Sequence, residues 1–312
     1  MTVIEIAKNF SNNRECLSFL EKTRWGDKVR CPYCNSDKTG KKSEKRQQDR
    51  YQCQECRKSF TATVGTIFHK ARKLPEWFLV LTLMLNAKKG LSSYQVARDT
   101  GIRQATAWNI MTKIRKAMET KESRLLKGIV EMDETYIGGR PRKDNNKKSN
   151  GKRGRGTNKT AVLGTMERNG EVGTKVVAKS DKLSYETLSG ILKRNVDPIR
   201  TRSIADEYRG YSPMGSIVDH SAVDHQATYC NGTIRINTLE GFWSLIKRAW
   251  YGSHRHYDGE NVHSYVAETS YKYNNRRNRN IFLDTVKRML GIGQLKDVLY
   301  IRNQSGATRN IR

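Results

Sequence analysis

Asp133, Asp206 and Glu240 stand in three spaced segments: Glu131-Met-Asp133-Glu-Thr-Tyr-Ile-Gly-Gly139, Ile204-Ala-Asp206-Glu-Tyr-Arg-Gly-Tyr211 and Asn237-Thr-Leu-Glu240-Gly-Phe-Trp-Ser-Leu-Ile-Lys247-Arg248. They sit in a chain of formal net charge +28. A basic surface attracts polyanions, and acids fixed within it can hold metal ions. Carboxylate oxygens suit Mg²⁺ or Mn²⁺, and Mg²⁺ keeps waters and substrate phosphates in its shell. Two such ions about 3.5–4 Å apart clamp the attacking and leaving oxygens of an in-line phosphoryl transfer. One acid bridging both ions, with another completing each shell, is enough to build that site.

Each acid has a local alternative. Residues 129–137 alternate as a strand, with Glu131, Asp133 and Thr135 on one face and Val130, Met132 and Tyr136 on the other. Mid-strand Asp is disfavoured, so Asp133 needs a cause; Glu131 and Glu134 are rivals for its role. Asp206 ends a short apolar strand at 202–206, where open α/β sheets bind ligands, and Glu207 is its rival. Asn237-Thr-Leu-Glu240 also fits a capping box, with Asn237 as N-cap. Lys247 lies two turns beyond Glu240 on the same helical face, within reach of a phosphate.

A second constellation is the pair Cys31-Pro-Tyr-Cys34 and Cys53-Gln-Glu-Cys56, separated by 18 residues. Two such knuckles place four thiolates around one tetrahedral Zn²⁺. The polar stretch between them cannot build a core, so the metal must stabilise this unit. Cys16 and Cys230 fall outside the pattern and read as free thiols.

The elements that must position these groups follow from composition and periodicity. Lys and Arg number 59 against 31 acids, and nucleic acid is the leading partner because phosphate contacts release counterions. The longest apolar run, residues 77–87, is shorter than the roughly 20 residues a spanning helix needs. No secretory signal is visible at the N-terminus. The chain is expected to be cytoplasmic, nucleoid-associated in a prokaryote, with no membrane partner. Residues 74–121 read as three helices, with Pro75 at a helix start and glycines at the turns. Helix, short Gly turn, helix is the helix-turn-helix pattern, which offers Gln104, Thr106, Asn109, Lys113 and Arg115 to a DNA groove. Residues 140–159 hold nine basic residues and one acid; this loop, with Lys152, Arg153 and Arg155, can lie along a phosphate backbone. Strands are expected at 160–167, 172–179 and 233–236, and helices at 183–195 and 238–250. A last amphipathic helix follows Asn280.

Taken together, the zinc ribbon, DETYIGG on a first strand, ADEYRGY on a later strand and NTLEGFWSLIKR on a helix resemble the DDE transposases of insertion sequences, specifically the ISXO-type group. The resemblance spans roughly residues 20–275. It implies an α/β, ribonuclease-H-like catalytic domain, a five-stranded mixed sheet with flanking helices, preceded by the ribbon and the helix-turn-helix. The expected divisions are 1–72, 73–124, 125–279 and 280–312. It implies Asp133, Asp206 and Glu240 as the catalytic metal ligands for Mg²⁺ or Mn²⁺, Lys247 as their basic partner, and Asn237 as a substitute for Glu240, since related enzymes vary there. Tyr273-Asn-Asn-Arg-Arg277 resembles the family's Tyr-Asn-Arg segment, which adds Arg276 and Arg277, with Arg248, to the residues expected at DNA.

The implied activity is metal-dependent cleavage at transposon ends and strand transfer into target DNA. Water is the expected nucleophile for cleavage and a freed 3′-hydroxyl for joining. Double-stranded DNA is the partner, and bringing two ends together calls for a homodimer or larger assembly. The alternatives are a sequence-specific DNA-binding regulator without activity, and a ribonuclease-H-like nuclease or resolvase.

Overall fold

A computed structural model describes residues 1–42, 50–119, 125–139, 157, 159–177, 185–206, 215–223, 236–254, 257 and 259–292. The chain divides into two units. One comprises residues 1–86, 93–118 and 278–312, the other residues 87–92 and 119–277.

The first unit opens with α1 (Val3–Asn9) and α2 (Asn13–Trp25). The α1 helix starts with a true capping box, in which the Thr2 hydroxyl accepts from the Glu5 amide and the Glu5 carboxylate accepts from the Thr2 amide. A three-stranded antiparallel ribbon follows: β1 (Thr39–Lys41), β2 (Tyr51–Cys53) and β3 (Ser59–Phe60). Its small core is Cys31, Tyr51, Cys53 and Phe60 with Trp25 against them. Three helices come next: α3 (Leu74–Asn86), α4 (Ser93–Thr100) and α5 (Gln104–Met118). Gly101, at φ +72°, makes the turn between α4 and α5, a left-handed conformation that glycine adopts without a Cβ penalty. The Asn13 side chain accepts from the Leu74 amide at 2.8 Å and so caps α3 from α2.

The second unit is a five-stranded mixed sheet. Its strands are β4 (Leu126–Ile137), β5 (Thr160–Glu167), β6 (Val172–Val176), β7 (Val196–Asp206) and β8 (Asp219–Val223). The order across the sheet is β6-β5-β4-β7-β8. The first three strands form an antiparallel meander, and β4, β7 and β8 run parallel. This is the ribonuclease-H-like order. Helix α6 (Tyr185–Asn195) covers one face, where Leu188, Ile191 and Leu192 pack on Val130, Met132, Leu163 and Ala205. The other face carries α7 (Asn237–Arg248) and α8 (Val262–Asn274), with Leu239, Phe242, Trp243, Ile246 and Val266 against Ile137, Val162 and Met166. The even and odd residues of β4 therefore serve two separate cores, as the period of two requires.

The observed elements depart from the expected ones at several points: α1, α2 and α8 lie outside the expected helices, and β7 begins at Val196 and not at 202. The fifth strand is β8 at Asp219–Val223; the strand expected at 233–236 falls, up to residue 235, outside the described residues, and Ile236 is not a strand residue. The last helix, α9 (Ile281–Met289), belongs to the first unit. Phe282 joins an aromatic cluster with Phe10, Phe19 and Phe78, with ring centroids 4.9–6.4 Å apart.

Residues 87–92 lie between α3 and α4 in sequence yet belong to the sheet unit. The Lys272 ammonium donates to the Ala87 carbonyl at 2.8 Å and pairs with the buried Glu268 carboxylate at 2.7 Å. Gly90, at φ +77°, is pressed so closely by His254 that a Cβ there would lie 2.5 Å from its Nε2. The excursion is thus fastened to α8 and to the turn after α7.

Candidate active site and nucleic-acid surface

Asp133 lies on the α7 face of β4, in the middle of the sheet. Register pairs Met132 with Ala205 on the parallel neighbour β7. Asp206 is the next residue of β7, pairs with Val223 of β8, and so ends its strand level with Asp133. Two acids from adjacent parallel strands thus meet at one height in the backbone ladder.

The Asp133 carboxylate is half-buried, and its Oδ2 accepts from the Trp243 indole N–H at 3.0 Å. Trp243 is on α7, three residues beyond Glu240, so Glu240 and Trp243 are neighbours on one side of that helix. Glu240 is exposed. The expected capping box does not form: the N-cap is Ile236, with no side-chain cap bond, and Asn237 is the first helical residue. The start of α7 is satisfied instead by Glu131, two residues before Asp133. Its Oε2 accepts from the Leu239 amide at 2.9 Å, and its Oε1 accepts from the Thr238 hydroxyl at 2.9 Å and from Arg168 Nε at 3.0 Å. A carboxylate at a helix N-terminus also meets the favourable end of the helix dipole.

Glu131 is fully buried, and both its oxygens are engaged, so it is an anchor for α7 and not a rival ligand. Glu134 alternates to the other side of the strand from Asp133, yet it also lines the cleft that holds Lys247. Glu207, the rival to Asp206, lies outside the described residues. Lys247 is exposed and lines a cleft of about 310 Å³ with Lys159, Thr135, Gly138 and Tyr251, beyond Asp133 toward the end of β4. The oxygen donors and neighbouring lysines fit the chemistry of a Mg²⁺- or Mn²⁺-assisted phosphoryl site. Among the described residues, however, only the cysteine quartet brings three or more metal-ligating atoms within reach of one another.

That quartet is Cys31, Cys34, Cys53 and Cys56, with sulfurs within 4.8 Å of one another. The closest pairs are 3.6 Å (Cys31–Cys56) and 3.5 Å (Cys34–Cys53). A tetrahedron with Zn–S bonds of about 2.3 Å has edges of about 3.8 Å, so four sulfurs at this spacing fit Zn²⁺. The residue after each knuckle, Asn35 and Arg57, is left-handed at φ 62° and 56°. The thiols are pushed in different directions: backbone N–H bonds, led by that from Cys56, lower Cys53 to about 7, while burial pushes Cys31 up to about 12, so a bound cation is what would hold all four as thiolates. Cys16 lies apart, and burial pushes its thiol up to about 12, as befits an inert core residue. Cys230 lies outside the described residues.

The helical unit presents a second surface. Thr106, Asn109 and Lys113 of α5 are exposed and line a cleft of about 720 Å³ with His69, Lys70, Arg72 and Lys116. Lys113 Nζ sits 5.5 Å from the Trp77 ring centroid. Gln104 is half-buried and donates to the Ser93 hydroxyl at 2.7 Å, joining α4 to α5. Arg115 departs from expectation: only 2% of it is exposed, because it falls on the core side of α5 with Ile114 and Met118. It cannot reach a DNA groove. Sequence reasoning missed Lys70, Arg72 and Lys116, whose only signal was charge.

The C-terminal basic residues divide similarly. Arg276 donates to the Tyr273 carbonyl at 2.8 Å and to the Gly170 carbonyl at 3.1 Å, and its guanidinium lies 4.2 Å from the Tyr273 ring centroid. It clamps the β5–β6 turn. Asn274 braces the same hairpin, accepting from the Val172 amide and donating to its carbonyl. Arg248 donates to Ser244 at 2.6 Å, and both it and Arg277 are exposed. Lys152, Arg153 and Arg155 lie outside the described residues.

Comparison with known proteins agrees with this architecture. Residues 125–274 match the ISXO2-like transposase domain, and residues 11–59 match a transposase zinc-ribbon domain. The chain carries an ISXO2-like transposase domain behind a transposase zinc ribbon. A protein of the transposable element ISH50 from Halobacterium salinarum is 27% identical over 261 residues, covering 80% of this chain and 86% of that protein. A solved structure, the Mos1 strand transfer complex, aligns over 72% of this chain and 77% of its own at 12% identity, with a TM-score of 0.30; a likeness that low carries no weight here. The transposase has, among its described residues, no helix long and apolar enough to cross a membrane.

Proposed function

We propose that this transposase cuts DNA at the ends of its element and joins the freed ends to target DNA, using Asp133, Asp206 and Glu240 as carboxylate ligands. The observation that supports this most directly is the convergence at the central parallel pair of the sheet. Asp133 and Asp206 stand level on parallel strands, each one residue past the Met132–Ala205 pair, and the Asp133 carboxylate is hydrogen-bonded to the helix that carries Glu240. Mg²⁺ or Mn²⁺, when bound, would supply Lewis acidity and lower the pKa of attacking water.

In the first step a water oxygen bonds to phosphorus at the element end, and the P–O3′ bond breaks to leave a 3′-hydroxyl. In the second, that 3′-oxygen attacks a target phosphodiester and displaces the target's own 3′-oxygen, which takes up the proton. Bond count and charge are conserved in both steps, and no covalent enzyme intermediate arises. Lys247 and Lys159, lining the adjacent cleft, suit the contact with a non-bridging phosphate oxygen. The α5 cleft would hold end DNA, with Thr106 and Asn109 toward base edges and Lys70, Arg72, Lys113 and Lys116 toward phosphates. Since two ends must be joined, a dimer or larger assembly on DNA is part of the proposal, as is structural Zn²⁺ in the ribbon.

The test is strand transfer in vitro with labelled element ends, a target plasmid and Mg²⁺. Joining by wild type and its loss in Asp133→Asn is the expected result. End binding without any cleavage would instead identify a regulator, and hydrolysis without joining a nuclease.

A further inference from the structure

We propose that Trp243 and Gly164 together are a positioning device for Asp133, an inference that rests on the proposed use of Asp133 as a metal ligand. Gly164 of β5 is the cross-strand partner of Asp133, so both lie on the face against α7. A Cβ built on Gly164 would lie 2.6 Å and 2.7 Å from Cζ2 and Cη2 of Trp243, and 3.0 Å from Leu239 Cδ1. The indole therefore occupies the space that any side chain at 164 would fill. From that seat its N–H reaches Asp133 Oδ2 at 3.0 Å. Trp243 is itself only 3% exposed, and its ring is held by Phe242 at a centroid distance of 5.5 Å.

The physical reason for such a device is rotational. An aspartate has two side-chain torsions, and a half-exposed one samples several rotamers. One buried N–H donor aimed at one oxygen restricts the orientation, and it takes up one of the roughly four lone-pair sites of a carboxylate. Outer partners that orient a ligating carboxylate typically change metal affinity or activity by about 10–100-fold when removed. A tryptophan is suited to the task because its donor is fixed to a large rigid ring, and the missing side chain at 164 leaves room for the edge of that ring. The same contact couples the helix bearing Glu240 to the strand bearing Asp133, so the two acids move as one body.

The test uses the full-length, zinc-loaded protein. Trp243→Phe keeps most of the ring and removes the donor; Gly164→Ala keeps the donor and displaces the ring. Mn²⁺ binding is followed by electron paramagnetic resonance, alongside strand transfer across a Mn²⁺ series and a thermal melt. Each substitution is expected to weaken Mn²⁺ binding by about 10-fold or more and to raise the Mn²⁺ concentration at half-maximal joining by a similar factor. In the Trp243→Phe background, Gly164→Ala should add little to the loss of Mn²⁺ affinity, because the indole donor it would displace is already gone. Wild-type Mn²⁺ affinity in a folded Trp243→Phe protein, with affinity lost in Asp133→Asn, would overturn the positioning role alone. Full joining by Asp133→Asn would overturn the underlying activity assignment, and the positioning role with it. If Trp243→Phe does not fold, Gly164→Ala decides by the same two measurements.

Discussion

In the ribbon, four thiols come from two turns 18 residues apart, and the strands beside them are two or three residues long. In the sheet unit, the candidate acids come from two strands and a helix spread over more than 100 residues. The ribbon has one small core cluster around its own cysteines; the sheet has two large ones, one on each face. The metal therefore plays opposite parts. Zinc would complete a fold too small to persist without it, whereas the sheet is complete first and offers its acids to a metal afterwards. The acids need supports that the thiols do without: Glu131 fastens α7, and Trp243 holds Asp133.

The contrast breaks most sharply on removal of zinc. A strong chelator, or Cys53→Ser, should unfold the ribbon, since structural zinc contributes on the order of 10 kcal/mol to such folds. The sheet unit should keep its melting transition, as differential scanning calorimetry would reveal. A single transition lost altogether would place the sheet under zinc control too. Next in size, Asp133→Asn should reduce strand transfer by roughly 10³-fold, several kcal/mol of barrier, while the melting temperature stays within a few degrees. Glu131→Ala should do the reverse in kind. Removing one member of a buried ion pair costs about 3–5 kcal/mol, and here it also strips the α7 cap, so urea unfolding should show the loss directly. Loss of activity in Glu131→Ala without loss of stability would instead make Glu131 a ligand.

The smallest effect concerns His220. Its Nδ1 lies 2.8 Å from the Ser203 hydroxyl, and burial lowers its pKa against the opposing charge of Asp219. A folded-state pKa below the unfolded value favours the neutral ring. The stability it lends is present above the unfolded value of about 6.5 and is lost as the pH falls from there through the depressed folded value. Melts between pH 7.5 and 5.5 should show a modest decline that His220→Asn flattens.

The same contrast governs what the sequence discloses. Ligands that are neighbours in the chain announce themselves by spacing, and the cysteine quartet did so. Strand β5 was legible at its observed bounds, because two turn signals and an apolar run frame it. Asp133 was legible as an anomaly on a strand, and its face followed from alternation. Strand β8 was not, since Asp219, His220 and Ser221 break any apolar alternation and only pairing with β7 extends them. The capping-box alternative for α7 could not be decided for a related reason: Asn237 and Glu240 have capping types at capping spacing, but the competing carboxylate lies more than 100 residues away. Trp243 is a core residue, and its indole N–H acquires meaning only once Gly164 and Asp133 are paired across the strands.

One consequence concerns the path of the chain. It passes between the two units four times, at residues 86–87, 92–93, 118–119 and 277–278. Neither unit can be excised as a continuous piece. A fragment starting at residue 125 would lack the Ala87 carbonyl that receives Lys272, and one ending at 124 would lack the Phe282 ring of its aromatic cluster. Shuffling or swapping by simple end-to-end fusion is closed to a polypeptide threaded this way. An exchange of either part between two such chains has to carry every segment of it.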